Sequence, residues 1–217
     1  MSRRFCLTFV ALLAGLQVPA RVAGQAAAPP QAPAAARGAS EARPEPKPQP
    51  RPYGLRVPVD PAKILMDDGD TVDIRWSRDD LETVRILGID CPETRHIEHN
   101  LPYPQDFGPE ARAFAKGAFA VATEVQLLRS GTLDPYGRTL GYVFLNGRNY
   151  SVLAVQARLA AESVSHYGDN GLPKEAAEVL AAAKAAGPVP FEPPHQFRAR
   201  MRDVMKWMQE KGVSAEK

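Results

Sequence analysis

The sequence predicts an α+β protein that is mainly β, built as a five-stranded barrel with three packed helices and a further C-terminal helix. Three observations support this prediction. Apolar stretches of strand length are separated by turn residues, helical periodicity follows the third and the fifth stretch, and an amphipathic pattern recurs near the C-terminus. The order strand-strand-strand-helix-strand-strand-helix is that of a five-stranded barrel with an inserted helix.

Five segments have the composition of strands. The first two, residues 63–66 and 71–76, flank an Asp-Asp-Gly-Asp turn, which predicts a hairpin. In the third strand, alternate residues point to opposite faces, with Val84 on one and Arg85 on the other. The last three predicted strands are residues 83–89, 124–128 and 140–145.

Helix signals lie between and after these strands. Gly108-Pro109-Glu110 begins the first helix, with proline near its start. Two further helices are predicted over residues 151–159 and 172–186, the latter ended by Gly187-Pro188. After Pro193-Pro194, apolar residues recur at helical spacing, which predicts an amphipathic helix in the tail. We interpret it as docked on the domain, with a partner-binding or membrane-surface helix as the alternative.

The composition of the chain predicts four regions. Residues 1–24 combine a basic start, a short apolar run and small residues, which is typical of a secretory signal peptide. Residues 25–52 are rich in Pro and Ala and nearly lack large apolar side chains, which predicts a linker, placed over residues 25–59. The domain is predicted over residues 60–190, and the amphipathic helix and tail over 191–217. No later segment has the composition of a transmembrane span.

Charge and cysteine content limit the possible functions. The chain has 27 basic and 25 acidic residues; residues 1–24 hold three arginines and no acid, so their removal leaves a net charge of −1. A nearly neutral protein does not bind nucleic acid through its net charge, so its binding of a polyanion must depend on a few charged side chains at defined positions. Removal of residues 1–24 also leaves Cys91 alone, so no intrachain disulfide is expected.

Three short segments carry the candidate chemistry. They are Asp68-Gly69-Asp70-Thr71-Val72, Arg85-Ile86-Leu87-Gly88-Ile89-Asp90-Cys91-Pro92-Glu93-Thr94 and Asp134-Pro135-Tyr136-Gly137-Arg138. Carboxylates can hold a hard divalent cation and activate water, and arginines can bind a phosphate through paired donors. Each segment alone could be a plain turn, a strand exit or a surface charge. Their joint occurrence in one domain-sized stretch favours a phosphodiester-cleaving site.

The three segments, in this order and at nearly these spacings, resemble the staphylococcal nuclease (thermonuclease) family. The resemblance covers roughly residues 64–186 and includes Gly108-Pro109-Glu110-Ala111 at the helix start. It implies a calcium-dependent phosphodiesterase on an oligonucleotide-binding (OB) barrel. Two aspartates, a carbonyl, waters and a phosphate oxygen are ligands that suit Ca²⁺.

The resemblance also implies roles for individual residues. Asp70 and Asp90 would be the metal carboxylates, the main-chain carbonyl of Cys91 a further ligand, and Asp68 would lie behind them. Glu93 would be the general base or water-orienting group, and two arginines would hold the phosphate. These arginines are Arg85 and Arg138, and the expected substrate-binding residues are Tyr136, Leu140 and Tyr167.

These inferences predict a secreted or periplasmic, calcium-dependent endonuclease with broad specificity for DNA and RNA. Single-stranded or frayed substrate is favoured, 3′-phosphate ends are implied by the resemblance, and no stable protein partner is expected. The main alternative is a non-catalytic module of the same family that binds single strands or a protein partner. A weaker alternative is a structural module tethered to the cell envelope.

Overall fold

The computed structural model describes residues 46–214, and within them the chain forms nine strands and five helices. The strands are β1 Arg56–Val59, β2 Ile64–Met66, β3 Thr71–Ser77, β4 Asp80–Ile86, β5 Ile89–Asp90, β6 Val125–Leu133, β7 Thr139–Leu145, β8 Arg148–Asn149 and β9 Ala161–Glu162. The helices are α1 Gly108–Ala120, α2 Tyr150–Gln156, α3 Val164–Tyr167, α4 Pro173–Ala186 and α5 Pro194–Lys211.

The main sheet has the strand order β1-β6-β7-β4-β3-β2, with β8 added on β7. All its pairs are antiparallel except β4 and β7, which run parallel. The five predicted strands correspond to β2, β3, β4, β6 and β7, and the α+β class is confirmed. Within residues 46–214 no strand pair joins β1 to β2, so the pairing pattern is that of an open sheet.

The third predicted strand is shorter than expected and ends at Ile86 instead of Ile89. Gly88 has a φ of 81°, a left-handed conformation that glycine adopts at little cost, and it turns the chain out of the sheet. The next two residues, Ile89 and Asp90, form β5 and pair with β9. This turn matters for the site because it moves Asp90 away from the main sheet.

Three strands, β1, β8 and β9, were not predicted. β1 lies inside the segment 25–59 that was interpreted as a linker, and it pairs antiparallel with the start of β6. Val59 is buried, and the Gly54 amide donates to the Arg129 carbonyl at 3.0 Å. The folded part of the chain therefore begins before residue 60. The first part of the proposed linker and the whole proposed signal peptide lie outside the described residues.

The hydrophobic core lies between the sheet and the helices α1, α2 and α4. Tyr142, Phe144 and Tyr150 are its largest fully buried side chains. The predicted first and third helices are confirmed as α1 and α4, while α2 ends at Gln156 and not at Leu159. Arg158 follows α2 in a left-handed conformation, which ends the helix there.

Helix α5 packs on the domain through a second, small apolar cluster. Phe197 and Met201 are buried against Leu101, with Val204 at the edge. This packing agrees with the interpretation of a docked helix. Within residues 46–214, no helix combines the length and the apolar character that a membrane crossing requires.

Candidate active site

The β2–β3 turn brings Asp70 into the interior of the protein. The Tyr150 hydroxyl, on α2, donates to the Gly69 carbonyl at 2.8 Å, and the Asp70 amide donates to Asp68 Oδ1 at 3.1 Å. Gly69 lies so close to Cys91 that an added Cβ would be 2.7 Å from the Cys91 sulfur. A side chain at position 69 would thus push the turn away, and glycine allows Asp70 to approach its neighbours.

Arg85 on β4 joins the two aspartates that were predicted as metal ligands. Its Nη1 lies 2.8 Å from Asp70 Oδ1, and its Nη2 lies 3.2 Å from Asp90 Oδ1. Both carboxylates are buried, with exposures of 7% for Asp70 and 5% for Asp90. One guanidinium therefore neutralises part of the charge of two buried carboxylates, which cannot lie unpaired in the interior without a large energetic cost.

Cys91 links the two aspartates through its backbone. Its amide donates to Asp70 Oδ2 at 2.8 Å, directly after Asp90 in the chain. Burial raises the pKa of the Cys91 thiol well above its ordinary value, and the nearby Asp70 raises it further. The thiol is therefore neutral at physiological pH, so the Cys91 carbonyl is a more suitable cation ligand than the sulfur.

Hydrogen bonds with Gln105 hold the backbone of Glu93 in place. The side-chain Oε1 of Gln105 accepts from the backbone amide of Glu93 at 3.2 Å, and the backbone amide of Gln105 donates to the Glu93 carbonyl at 2.9 Å. Gln105 is only 2% exposed, and its Nε2 donates to the Glu192 carbonyl just before α5. Gly108, the first residue of α1, lies directly against the same Glu93 carbonyl. Sequence analysis missed Gln105 because it lies in a loop without a recognisable motif.

A second arginine enters the same cluster from α5. Arg198 Nη1 lies 3.0 Å from Asp90 Oδ1, and its Nη2 lies 3.1 Å from Asp90 Oδ2. Arg198 Nη1 also pairs with Glu93 Oε1. This contact joins residues more than one hundred positions apart, and the sequence signal for it is weak: Arg198 is one of several arginines in an amphipathic helix.

Burial opposes ionisation of the acids in this cluster. It raises the pKa of Asp70, with Arg85 acting in the opposite direction, and it raises the pKa of Glu93, with Arg198 acting in the opposite direction. A raised pKa makes Glu93 a better proton acceptor than an exposed glutamate, provided that it is ionised at the working pH. The arginines thus help to keep these acids charged.

The contacts of Arg138 lie within its own turn and not with the buried cluster. Arg138 Nε donates to Asp134 Oδ2 at 2.6 Å, and its guanidinium lies 5.6 Å from the centre of the Tyr136 ring. These three residues belong to the β6–β7 turn, which leads into β7. The second residue of β7, Leu140, is the register partner of Arg85 in the β4–β7 pair. The third segment, residues 134–138, therefore lies at the same end of the sheet as Arg85. Within the part of the chain that the structure describes, Arg138 and Arg85 make no direct contact.

The expected substrate-binding side chains differ in exposure. Tyr136 is 86% exposed and Tyr167, on α3, is about half exposed, so both rings are accessible to a base. Leu140 is partly buried and packs against the core, so it is less available. Tyr167 packs edge-on against His166, and the His166 ring in turn stacks on His195 of α5 at 5.9 Å.

The oxygen atoms of this cluster are suitable ligands for a calcium ion, although two arginines form ion pairs with them. Asp70 and Asp90 offer carboxylate oxygens, and Cys91 offers a carbonyl, which are the hard ligands that Ca²⁺ prefers. Among residues 46–214, no three His, Cys, Asp or Glu side chains are arranged so that they could hold a metal ion. Arg85 and Arg198 are hydrogen-bonded to the aspartate oxygens that a cation would use.

Comparison with known proteins supports the resemblance seen in the sequence. The family model described as staphylococcal nuclease homologue matches residues 83–187. The match includes Arg85, Asp90, Glu93 and Arg138, but Asp70 and Arg198 lie outside it.

Two relatives show the extent of the similarity. The chain is 36% identical over 93 residues to a thermonuclease of Staphylococcus intermedius, covering 43% of this chain and 53% of the relative. It is 35% identical over 98 residues to an uncharacterised protein of Bacillus anthracis, covering 44% of each. The similar region thus spans about half the length of these relatives. Together with the family model, these matches support an SNase-like domain in this part of the chain.

Proposed function

We propose that the protein is a Ca²⁺-dependent endonuclease that hydrolyses phosphodiester bonds of DNA and RNA with broad specificity. The observation that carries this proposal is the buried cluster in which Arg85 joins Asp70 and Asp90, with Glu93 beside them. The SNase-like domain supports a nuclease-like function at the level of the family. The strand order also supports the OB-type barrel, because the five predicted strands follow the order 1-2-3-5-4 with strands 3 and 5 parallel.

In this proposal, Asp70, Asp90 and the Cys91 carbonyl hold the cation. A bound calcium ion would polarise the phosphoryl group and lower the cost of bringing water to it. Glu93 accepts the proton of the attacking water, and its partial burial strengthens it as a base. Arg85 faces the charge that develops on the phosphoryl oxygens.

Arg138 binds the phosphate from the neighbouring turn once its side chain leaves Asp134. Exposed Tyr136 stacks on a base, which favours single-stranded or frayed substrate because paired bases do not offer a free face. Contacts to phosphate and sugar carry little sequence information, and broad specificity follows from this. The release of 3′-phosphate ends is part of the same proposal.

The decisive experiment is plasmid degradation by purified protein, with calcium and with a chelator. Hydrolysis should require calcium. Glu93→Gln should lower the rate by about 10²–10⁴-fold, and Arg138→Ala should lower it by about 10²–10³-fold. Arg148→Ala, which removes an exposed arginine beyond the opposite end of β7, is the matched control and should leave hydrolysis unchanged. Full activity of Glu93→Gln would refute its role as base.

The same experiment separates the enzyme from its main alternative. Binding of single-stranded oligonucleotide without cleavage, with calcium present, would favour a non-catalytic nucleic-acid-binding module.

We also propose that the protein is secreted or periplasmic, on the composition of residues 1–24. N-terminal sequencing of the protein from its native host tests this, because a mature chain should begin after about residue 24.

A further inference from the structure

Arg198 contacts the proposed metal ligand Asp90 and the proposed base Glu93, which a helix that only packs on the domain would not need to do. Its two terminal nitrogens contact both oxygens of Asp90, and Nη1 also contacts Glu93. The side chain is only 30% exposed, so these are largely desolvated, charge-assisted hydrogen bonds, which are stronger than neutral ones.

Residues before and after Arg198 in the sequence hold it in position. Phe197, the preceding residue, and Met201, one turn later, are buried against Leu101. Before the helix, the Glu192 carbonyl accepts from the buried Gln105, which also holds the backbone of Glu93. The guanidinium is therefore aimed at the carboxylates by packing, and it does not reach them from a loose surface chain.

A guanidinium and a divalent cation cannot occupy this place together. Arg198 uses both oxygens of Asp90, and Arg85 shares Oδ1 as well. A cation bound to Asp90 needs at least one of these oxygens, and two like charges a few ångströms apart in a partly buried site repel strongly. The N–H groups of the Arg198 guanidinium point at the carboxylates of Asp90 and Glu93. This orientation suits competition with a cation better than binding of a substrate phosphate.

We propose that Arg198 competes with the cation for Asp90 and thereby sets the calcium affinity of the site. The inference rests on the proposed function only in taking calcium as the cation. It assigns a role to a residue outside residues 83–187, which the family model matches. Calcium binding then requires the Arg198 side chain to leave Asp90, and α5 becomes a determinant of how much calcium the site needs.

Calorimetric titration of calcium into the full chain, without nucleic acid, tests this inference. Arg198→Gln should bind calcium about 10-fold or more tightly than the wild type, because a charge-assisted competitor is removed. Arg198→Lys, which keeps the charge but cannot bridge the same three oxygens, should fall between them and serves if the glutamine variant does not fold. Arg200→Gln is the matched control: Arg200 is exposed on the same helix and pairs with Glu192, which precedes the helix, and its loss should leave the affinity unchanged.

Each outcome of the titration bears on the inference. Equal or weaker calcium binding by both Arg198 variants would overturn it, as would the absence of calcium binding in every variant. A parallel plasmid assay keeps it separate from the proposed function. If Arg198→Gln binds calcium more tightly but neither it nor the wild type cleaves, the nuclease proposal fails and the competition stands. If the wild type cleaves with calcium but the affinity is unaffected by Arg198, only the competition fails.

Discussion

Replacing Gly108 by alanine is expected to disable the proposed base, Glu93, without changing its side chain. Gly108 begins α1 directly against the backbone of Glu93, and an alanine Cβ there would lie 2.1 Å from the Glu93 carbonyl oxygen and 2.8 Å from its carbon. Ordinary contact begins at 3.4 Å, so the helix start and Glu93 must separate by about 1 Å. Both atoms in the clash are backbone, so no side-chain rotation relieves it.

A displacement of this size has a predictable effect on hydrolysis. A misplacement of about 1 Å of a catalytic group can lower the rate by about 10²-fold. The same shift strains the two hydrogen bonds between Gln105 and the Glu93 backbone, so the free energy of unfolding should also fall. Plasmid hydrolysis with calcium gives the rate, and thermal unfolding followed by circular dichroism shows the stability and that the variant is folded.

Gly117→Ala in the same helix is the matched control. Nothing lies within 4 Å of the position that its Cβ would take. Alanine in a helix interior should therefore raise the free energy of unfolding by about 0.5–1 kcal/mol, with hydrolysis unchanged. Wild-type hydrolysis by a folded Gly108→Ala protein would refute the reasoning that α1 positions Glu93. An equal loss in Gly117→Ala would show that the helix as a whole, and not this contact, is responsible.

Two further predictions concern stability and substrate binding. Glu82→Gln should lower the free energy of unfolding in urea by about 3–5 kcal/mol, because it removes the carboxylate that balances the charge of the buried Arg129 guanidinium. Burial opposes ionisation of Glu82, but hydrogen bonds from Arg129, Thr139 and Trp76 outweigh it and lower the pKa below 4.5. The stabilisation is therefore full above pH 4.5 and is lost as the pH falls through the lowered pKa, so the variant and the wild type should converge in acid; a difference that grows in acid would contradict this sign. Tyr136→Ala should leave stability within about 0.5 kcal/mol of the wild type, but weaken the binding of a single-stranded oligonucleotide by about 1–3 kcal/mol in fluorescence anisotropy; unchanged affinity would exclude Tyr136 as a stacking platform.

Much of the candidate site could be predicted because its residues lie in short local motifs. The alternation of apolar residues predicts β4 and places Arg85 and Ile86 on opposite faces, and the Asp-Asp-Gly-Asp turn predicts the hairpin that carries Asp70. Such signals depend on neighbours only a few positions away. The end of β4 was misplaced because an isolated Gly88 within an apolar run does not reveal that its φ is positive.

The residues that could not be predicted take part in contacts between distant parts of the chain. β1 joins the sheet through β6, Gln105 joins Glu93 to the segment before α5, and Arg198 reaches Asp90 from the tail. Neither an amphipathic pattern nor a loop composition specifies which side chain meets which across the fold. Likewise, the Asp134-Arg138 pair holds the second predicted phosphate-binding arginine within its own turn, away from the carboxylates.

The sequence by itself determined the family resemblance, the α+β class and most of the set of charged residues from which a site could be built. Only the tertiary structure decided how these charges are paired: Arg85 between Asp70 and Asp90, and Arg198 on Asp90 and Glu93. The physical reason is that buried charges are stable only with partners. Which partner each acid finds depends on how the sheet, α1 and α5 pack together, and local sequence does not specify that packing.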